Sequence, residues 1–330
     1  MSDETSSSAG GSAGSAPSPA RLPNLLIVGV GKAGTTSLFH YLAQHPDVCA
    51  SSVKEPRYFR FADAPDAELD PLDSYERLFS HCGTARYVME ASPQYFKGGA
   101  RTIEAIRETL ERPRIILLLR DPVTRMWSEY RFKKSRLTIP SSLTFDAYVE
   151  ECERVRDSRA PRTNENQAFY WLAGGSYADH IGPWLDAFGD DIHVWFFEDL
   201  VADPKAFVEG VCRWLGIDES VAASFNYSIE NKTEEVRSRA LQRVALSANK
   251  EGGPLRNRRG FKAPLRRVYY AFNRRRSGER MSPDTRLRLQ ATFASSNGAL
   301  IDELDRRGYS GFPPWLRPAD TQSASRDASG

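Results

Sequence analysis

The sequence has no apolar run long enough to cross a bilayer. The longest, residues 25–28 and 115–119, fall far short of the roughly 20 residues a membrane helix needs. It does not open like a secreted chain either. MSDETSSSAGGSAGSAPSPA carries acids near its start and has neither a basic segment nor an apolar one behind it. Together these absences give a cytoplasmic location as the expectation. Cysteine is scarce: Cys49, Cys82, Cys152 and Cys212 stand far apart with no C-x-x-C pair, so four buried free thiols are expected. Histidine offers no metal spacing, since His40 and His45 are five apart and His81 stands beside Cys82 with no second pair nearby. No metal is expected. Nor is charge of one sign in excess: 45 Lys and Arg face 43 Asp and Glu, a net charge of +2 that selects no nucleic-acid partner.

What is present is a soluble-enzyme composition, 40% hydrophobic and 11% aromatic over 330 residues. Residues 1–22 and 319–330 are rich in Ser, Ala, Gly and Asp and read as flexible tails around one domain, 23–318. Within it, apolar runs alternate with helical stretches. Residues 24–30, 48–50, 87–90, 114–119 and 192–197 read as strands. Helices are expected from Thr35 to about Gln44, from Pro122 to about Lys134 behind an Asp121 cap, and from Pro204 to a stop at Gly216. The alternation predicts an α/β fold with a parallel sheet flanked by helices, like a P-loop protein.

The segment Gly29-Val-Gly-Lys-Ala-Gly-Thr-Thr-Ser37 lies between the first strand and the first helix. Glycines there let backbone approach an anion, and the helix start offers free N–H groups and a positive dipole end. Gly34, Thr35, Thr36 and Ser37, with the backbone of Ala33, supply donors, and Lys32 supplies charge. A Walker-type loop needs G-x-x-x-x-G-K-[ST]. Gly29 and Gly34 have that spacing, but Thr35 follows where the lysine should stand. A P-loop kinase or NTPase is therefore the alternative reading.

This loop resembles the 5′-phosphosulfate loop of sulfotransferases that use 3′-phosphoadenosine 5′-phosphosulfate (PAPS). Arg120-Asp-Pro-Val-Thr-Arg-Met-Trp-Ser-Glu-Tyr130 resembles their 3′-phosphate motif. Val53-Lys-Glu-Pro-Arg-Tyr-Phe59, Glu90-Ala-Ser-Pro-Gln-Tyr95, Glu198-Asp-Leu200 and the stretch 283–307 are similar to the heparan sulfate sulfotransferase branch. The resemblance, over about residues 23–316, implies PAPS as co-substrate and an acceptor hydroxyl or amine. It implies Arg120 and Ser128 as 3′-phosphate contacts, and Glu55 as the base that takes the acceptor's proton. Lys32 is expected to clamp the charge that develops on the 5′-phosphate side, in place of a metal. Lys54 is expected to orient that base or to bind the sulfuryl group on the acceptor side, and Glu90 to stand behind the site or on its acceptor side. Residues 252–278 carry nine Lys/Arg and no acid, with Leu265, Val268, Tyr269 and Phe272 at helical spacing. They are candidates for closing the nucleotide site or for touching an anionic membrane surface.

Overall fold

The computed structural model describes residues 21–62, 68–159, 161, 163, 165–228 and 278–317, with short pieces at 235–236, 243, 247 and 274–275. Five parallel strands form one sheet in the order β2-β3-β1-β4-β5. They are β1 (Leu25–Gly29), β2 (Val48–Ala50), β3 (Tyr87–Ala91), β4 (Arg114–Leu119) and β5 (Ile192–Phe196). The predicted strands are all present, with ends shifted by one residue at most. Every residue of β1 and β3 is buried, as is all of β4 after Arg114, which is why these runs read as continuous apolar sequence. The helices α1 (Thr35–Leu42), α2 (Leu72–Glu76), α3 (Gly99–Thr109), α4 (Pro122–Ser135), α5 (Phe145–Ser158), α6 (Ala178–Phe188), α7 (Phe197–Ala202), α8 (Pro204–Leu215) and α9 (Pro283–Asp305) surround the sheet.

Local chemistry sets the helix ends. The Asp121 carboxylate accepts from the backbone N–H of Val123 and Thr124, and Pro122 occupies the first turn of α4. Asp203 caps α8 in the same way, and Gly216 ends that helix at φ 67°. One large core lies along the sheet, and a second cluster packs Val123, Met126 and Tyr130 of α4 against α5 and α9. A two-residue antiparallel ladder, β6 (Glu235–Val236) with β7 (Arg274–Arg275), also contacts α4. Among the described residues no helix is long and apolar enough to cross a membrane.

Two expectations change. Arg21 and Leu22, assigned to the tail by composition, belong to the domain: the Arg21 guanidinium donates to the carbonyls of Gly83 and Ala85, and Leu22 packs on the core. The cysteines are not all free. Cys49 of β2 and Cys82, 33 residues on, form a disulfide with their Cα atoms 5.4 Å apart. The turn carrying Cys82 packs beside β2, with the Leu78 carbonyl accepting from the Ser52 N–H and the His81 ring donating to the Ala50 carbonyl, a proximity that sequence spacing does not reveal. Cys152 and Cys212 are buried free thiols, as expected. The basic stretch 252–278 lies almost wholly outside the described residues.

Candidate functional site

In a doubly wound sheet, ligands sit beyond the carboxyl ends of the strands, where the strand order reverses. Here that edge carries the connections after β1, β2, β3 and β4, and nearly every predicted site residue falls on one of them. The β1–α1 turn needs its glycines. A Cβ on Gly29 would come within 2.8 Å of both Leu117 and Phe96, and Gly34 sits at φ 83° with Leu200 and Phe197 2.9 Å from where its Cβ would be. Gly34 is also the N-cap of α1, and no side chain caps that helix. The first-turn N–H groups are thus presented beside Thr35, Thr36 and Ser37. Thr35 is buried, while Thr36 and Ser37 are half-buried. Ala33 faces the core at 0% exposure, so only its backbone can serve a ligand.

Lys32 takes φ 71°, in the left-handed region that a non-glycine residue rarely occupies. Its ammonium lies 4.2 Å from the centre of the Phe132 ring. Burial pulls its pKa below the ordinary lysine value, and the nearby Glu129 carboxylate opposes that shift. Arg120, at the end of β4, donates from Nη1 to the carbonyl of Lys32 at 2.8 Å and from Nε to Thr124 Oγ1 at 3.3 Å. Its guanidinium stacks 4.3 Å from the Phe197 ring, and Tyr177 donates to its carbonyl at 2.7 Å. Glu198, placed by the turn after β5, accepts from the Asp121 N–H at 3.0 Å. The two sequence motifs therefore meet directly at the ends of adjacent strands. Ser128 lies half-buried further along α4.

Glu55 follows β2, also at positive φ (56°), as does Arg57 (55°). Its carboxylate is flanked by Lys54 Nζ at 2.7 Å and Arg57 Nη2 at 3.5 Å, and its negative charge favours the charged form of Lys32. Residues held at sparsely populated φ values cluster at functional sites because surrounding structure must impose them. Part of that imposition is visible. The Arg57 N–H donates to Ser92 Oγ at 3.1 Å, and Ser92 donates to Glu90 Oε2 at 3.2 Å. Lys54 is thus a partner that orients Glu55.

Of the two positions expected for Glu90, it takes the one behind the site. Glu90 is 0% exposed and accepts from Tyr75 at 2.8 Å as well as from Ser92, so it braces the Glu55 segment from beneath. Burial raises its pKa to about 7, against hydrogen bonds from Tyr75, Tyr95 and Ser92 that favour the charged form.

Several residues at this edge were not picked out from sequence. Arg125 is 1% exposed and donates to the Gly31 carbonyl at 3.4 Å. Glu129, 4% exposed, pairs with Lys133 at 3.4 Å, and burial raises its pKa against the pull of Lys133 and Lys32. The spacing of Arg125, Glu129 and Lys133, four residues apart on α4, is a signal that periodicity could have supplied. Trp171 and Lys97 reach the site from connections with no such pattern.

The arrangement joins an anion cradle, a half-buried lysine ammonium, an anchored arginine and a flanked carboxylate. A family model described as "Sulfotransferase domain" matches residues 22–262. Heparan sulfate glucosamine 3-O-sulfotransferase 3B1 of Mus musculus is 32% identical over 222 residues, 64% of this chain and 50% of that protein. Bifunctional heparan sulfate N-deacetylase/N-sulfotransferase 2 of Bos taurus is 28% identical over 316 residues, 92% of this chain and 32% of that protein. The chain thus spans half or less of the length of these two relatives. A solved sulfotransferase from Alicyclobacillus acidocaldarius shares the fold, with a TM-score of 0.61 at 24% identity, over 90% of this chain and 100% of that one.

Proposed function

The chain belongs to the sulfotransferase domain family, and from that premise we propose that it transfers the sulfuryl group of PAPS to a hydroxyl or amine of an acceptor. The observation that carries this reading is the Arg120 to Lys32 hydrogen bond, 2.8 Å long, which locks the two anion-binding motifs side by side. Two cationic side chains on adjacent strand ends, Lys32 and Arg120, suit a nucleotide with two phosphate groups. The cradle fits the donor's 5′ side: glycine backbone at Gly29 and Gly34, an uncapped helix start, and hydroxyls at Thr35, Thr36 and Ser37. Arg120 suits the 3′-phosphate, because a guanidinium can make two parallel bonds to a phosphate. Ser128 stands further along the same helix.

In the transfer, the acceptor oxygen or nitrogen bonds to sulfur as the bond from sulfur to the 5′-phosphate oxygen breaks. Glu55 takes the acceptor's proton, and Lys54 and Arg57 hold its carboxylate in place. Lys32 meets the negative charge left on the 5′-phosphate oxygen. Donor and acceptor must lie in line, so positioning supplies much of the rate. With Lys32 as the cation at that oxygen, the reaction needs no divalent metal. The test is transfer of radiolabel from PAPS to an acceptor pool, with and without EDTA. Label transfer that survives EDTA and is lost in Lys32→Ala supports the reading. Complete dependence on magnesium would favour a P-loop NTPase.

A further inference from the structure

Sequence spacing gives His81 and Cys82 no third metal ligand, but the fold supplies one. The sulfurs of Cys49 and Cys82 and a ring nitrogen of His81 all lie within 4.8 Å of one another. Cys82 Sγ is 3.9 Å from His81 Nε2. A tetrahedral zinc, with bonds of about 2.3 Å to sulfur and about 2.0 Å to nitrogen, holds a sulfur and a nitrogen about 3.5 Å apart and two sulfurs about 3.8 Å apart. Two cysteines and one histidine form a donor set that zinc takes, with water as the fourth ligand. While the two sulfurs are bonded to each other, they offer no thiolate.

Contacts other than the disulfide keep these groups together. The Ser52 N–H donates to the Leu78 carbonyl at 2.9 Å. Arg21 donates to the carbonyls of Gly83 at 3.0 Å and Ala85 at 2.6 Å, on the far side of the turn. Phe79 is 1% exposed and packs edge-on against the Tyr75 ring. Opening the bridge therefore leaves two thiols side by side, on a strand and a turn that are already fixed, and binding needs little reorganisation. His81 Nε2 donates to the Ala50 carbonyl at 3.1 Å, which holds the ring beside β2. His81 is exposed and Cys49 half-buried, so a reductant and an ion reach the cluster from solvent.

We propose that reduction of the Cys49–Cys82 disulfide creates a metal site, in which the two thiolates and the His81 imidazole bind one divalent ion of the zinc class. A dithiol reductant gives two electrons and two protons to the bridge. The sulfur–sulfur bond breaks, two thiols form, and the dithiol closes to its own disulfide. The ion then displaces both thiol protons into solvent, and two thiolates balance its two charges. The imidazole proton moves from Nε2 to Nδ1 by exchange with water, which frees the Nε2 lone pair for the ion. The metal renews the link between the turn and β2, the strand that leads into the Glu55 segment. None of these three side chains takes part in sulfuryl transfer, so the site stands apart from the donor reading.

The test is a cobalt(II) titration of the full-length protein, reduced with a phosphine and desalted under nitrogen. The reduced chain should take up one cobalt, with thiolate-to-metal charge transfer in the near ultraviolet and the intense visible bands of a four-coordinate ion. Zinc should displace it. The unreduced chain should show neither signal. Cys49→Ser and His81→Ala should each weaken binding at least about tenfold, the least that losing even a supporting partner costs. His81→Ala changes an exposed side chain and keeps both thiols, so a loss there is not a loss of fold. Absence of charge transfer in the reduced chain would overturn the proposal, as would the weak spectrum of a six-coordinate ion. Unchanged affinity in either variant would overturn it too, and in both would assign the ion to Cys152 or Cys212.

Discussion

Replacing Glu90 with glutamine should remove a pH dependence of stability that the native chain carries. The carboxyl is wholly enclosed, and its pKa rises from an ordinary 4.5 to about 7. Between those values the folded state binds a proton that the unfolded state has already released, so native stability falls as pH rises. This contribution is most favourable below about 4.5 and is lost progressively as pH climbs through about 7. At about 1.4 kcal/mol per pKa unit, the change between about pH 5 and about pH 8 amounts to roughly 2–3 kcal/mol. Glutamine keeps the shape and can still accept from Tyr75, but it does not titrate. Urea unfolding of both proteins at the two pH values gives the comparison. Native stability relative to Glu90→Gln should drop by about that amount from the lower pH to the higher. An unchanged difference would refute the reasoning and show that Glu90 titrates as it does in the unfolded chain. The result bears on function because Glu90 reaches Arg57 through Ser92, next to the proposed base.

Glu55→Gln should leave nucleotide affinity nearly unchanged and lower kcat by roughly a hundred- to ten-thousandfold; near-normal turnover would return Glu55 to a simple ion pair with Lys54. Lys32 must be charged to act, and burial lowers its pKa, so the alkaline fall in kcat should come below the ordinary lysine value of 10.5 and should be absent from whatever activity Lys32→Ala retains. Thiol labelling of unfolded, unreduced protein should find two of the four cysteines reactive. Opening the 33-residue loop of the Cys49–Cys82 pair should cost about 3–4 kcal/mol of stability. Four reactive thiols before reduction would refute the pairing.

The parallel sheet was legible because its strands are buried on both faces and announce themselves as unbroken apolar runs. The α4 and α8 caps were legible because Asp followed by Pro has one physical meaning at a helix start. The nucleotide motifs were legible because each is local: the loop is nine consecutive residues, and Arg120 ends the most apolar strand. What stayed hidden depends on contacts between distant segments. Cys49 and Cys82 meet because the turn that carries Cys82 packs beside β2, where the Leu78 carbonyl accepts from the Ser52 N–H. Trp171 reaches the phosphate loop from the long connection between α5 and α6. Which of its two expected places Glu90 takes was hidden for a related reason: Tyr75, Tyr95 and Phe59 close over that end of β3.

The central claim, that this edge binds a nucleotide with phosphates at both ends, is tested most directly by calorimetry. 3′-Phosphoadenosine 5′-phosphate, AMP and ATP are titrated into the native protein and into Arg120→Ala. The native protein should bind the bisphosphate far more tightly than AMP or ATP, and Arg120→Ala should erase most of that preference, a loss of about 1.5–3 kcal/mol. Equal affinity of the native protein for AMP and the bisphosphate would contradict the account.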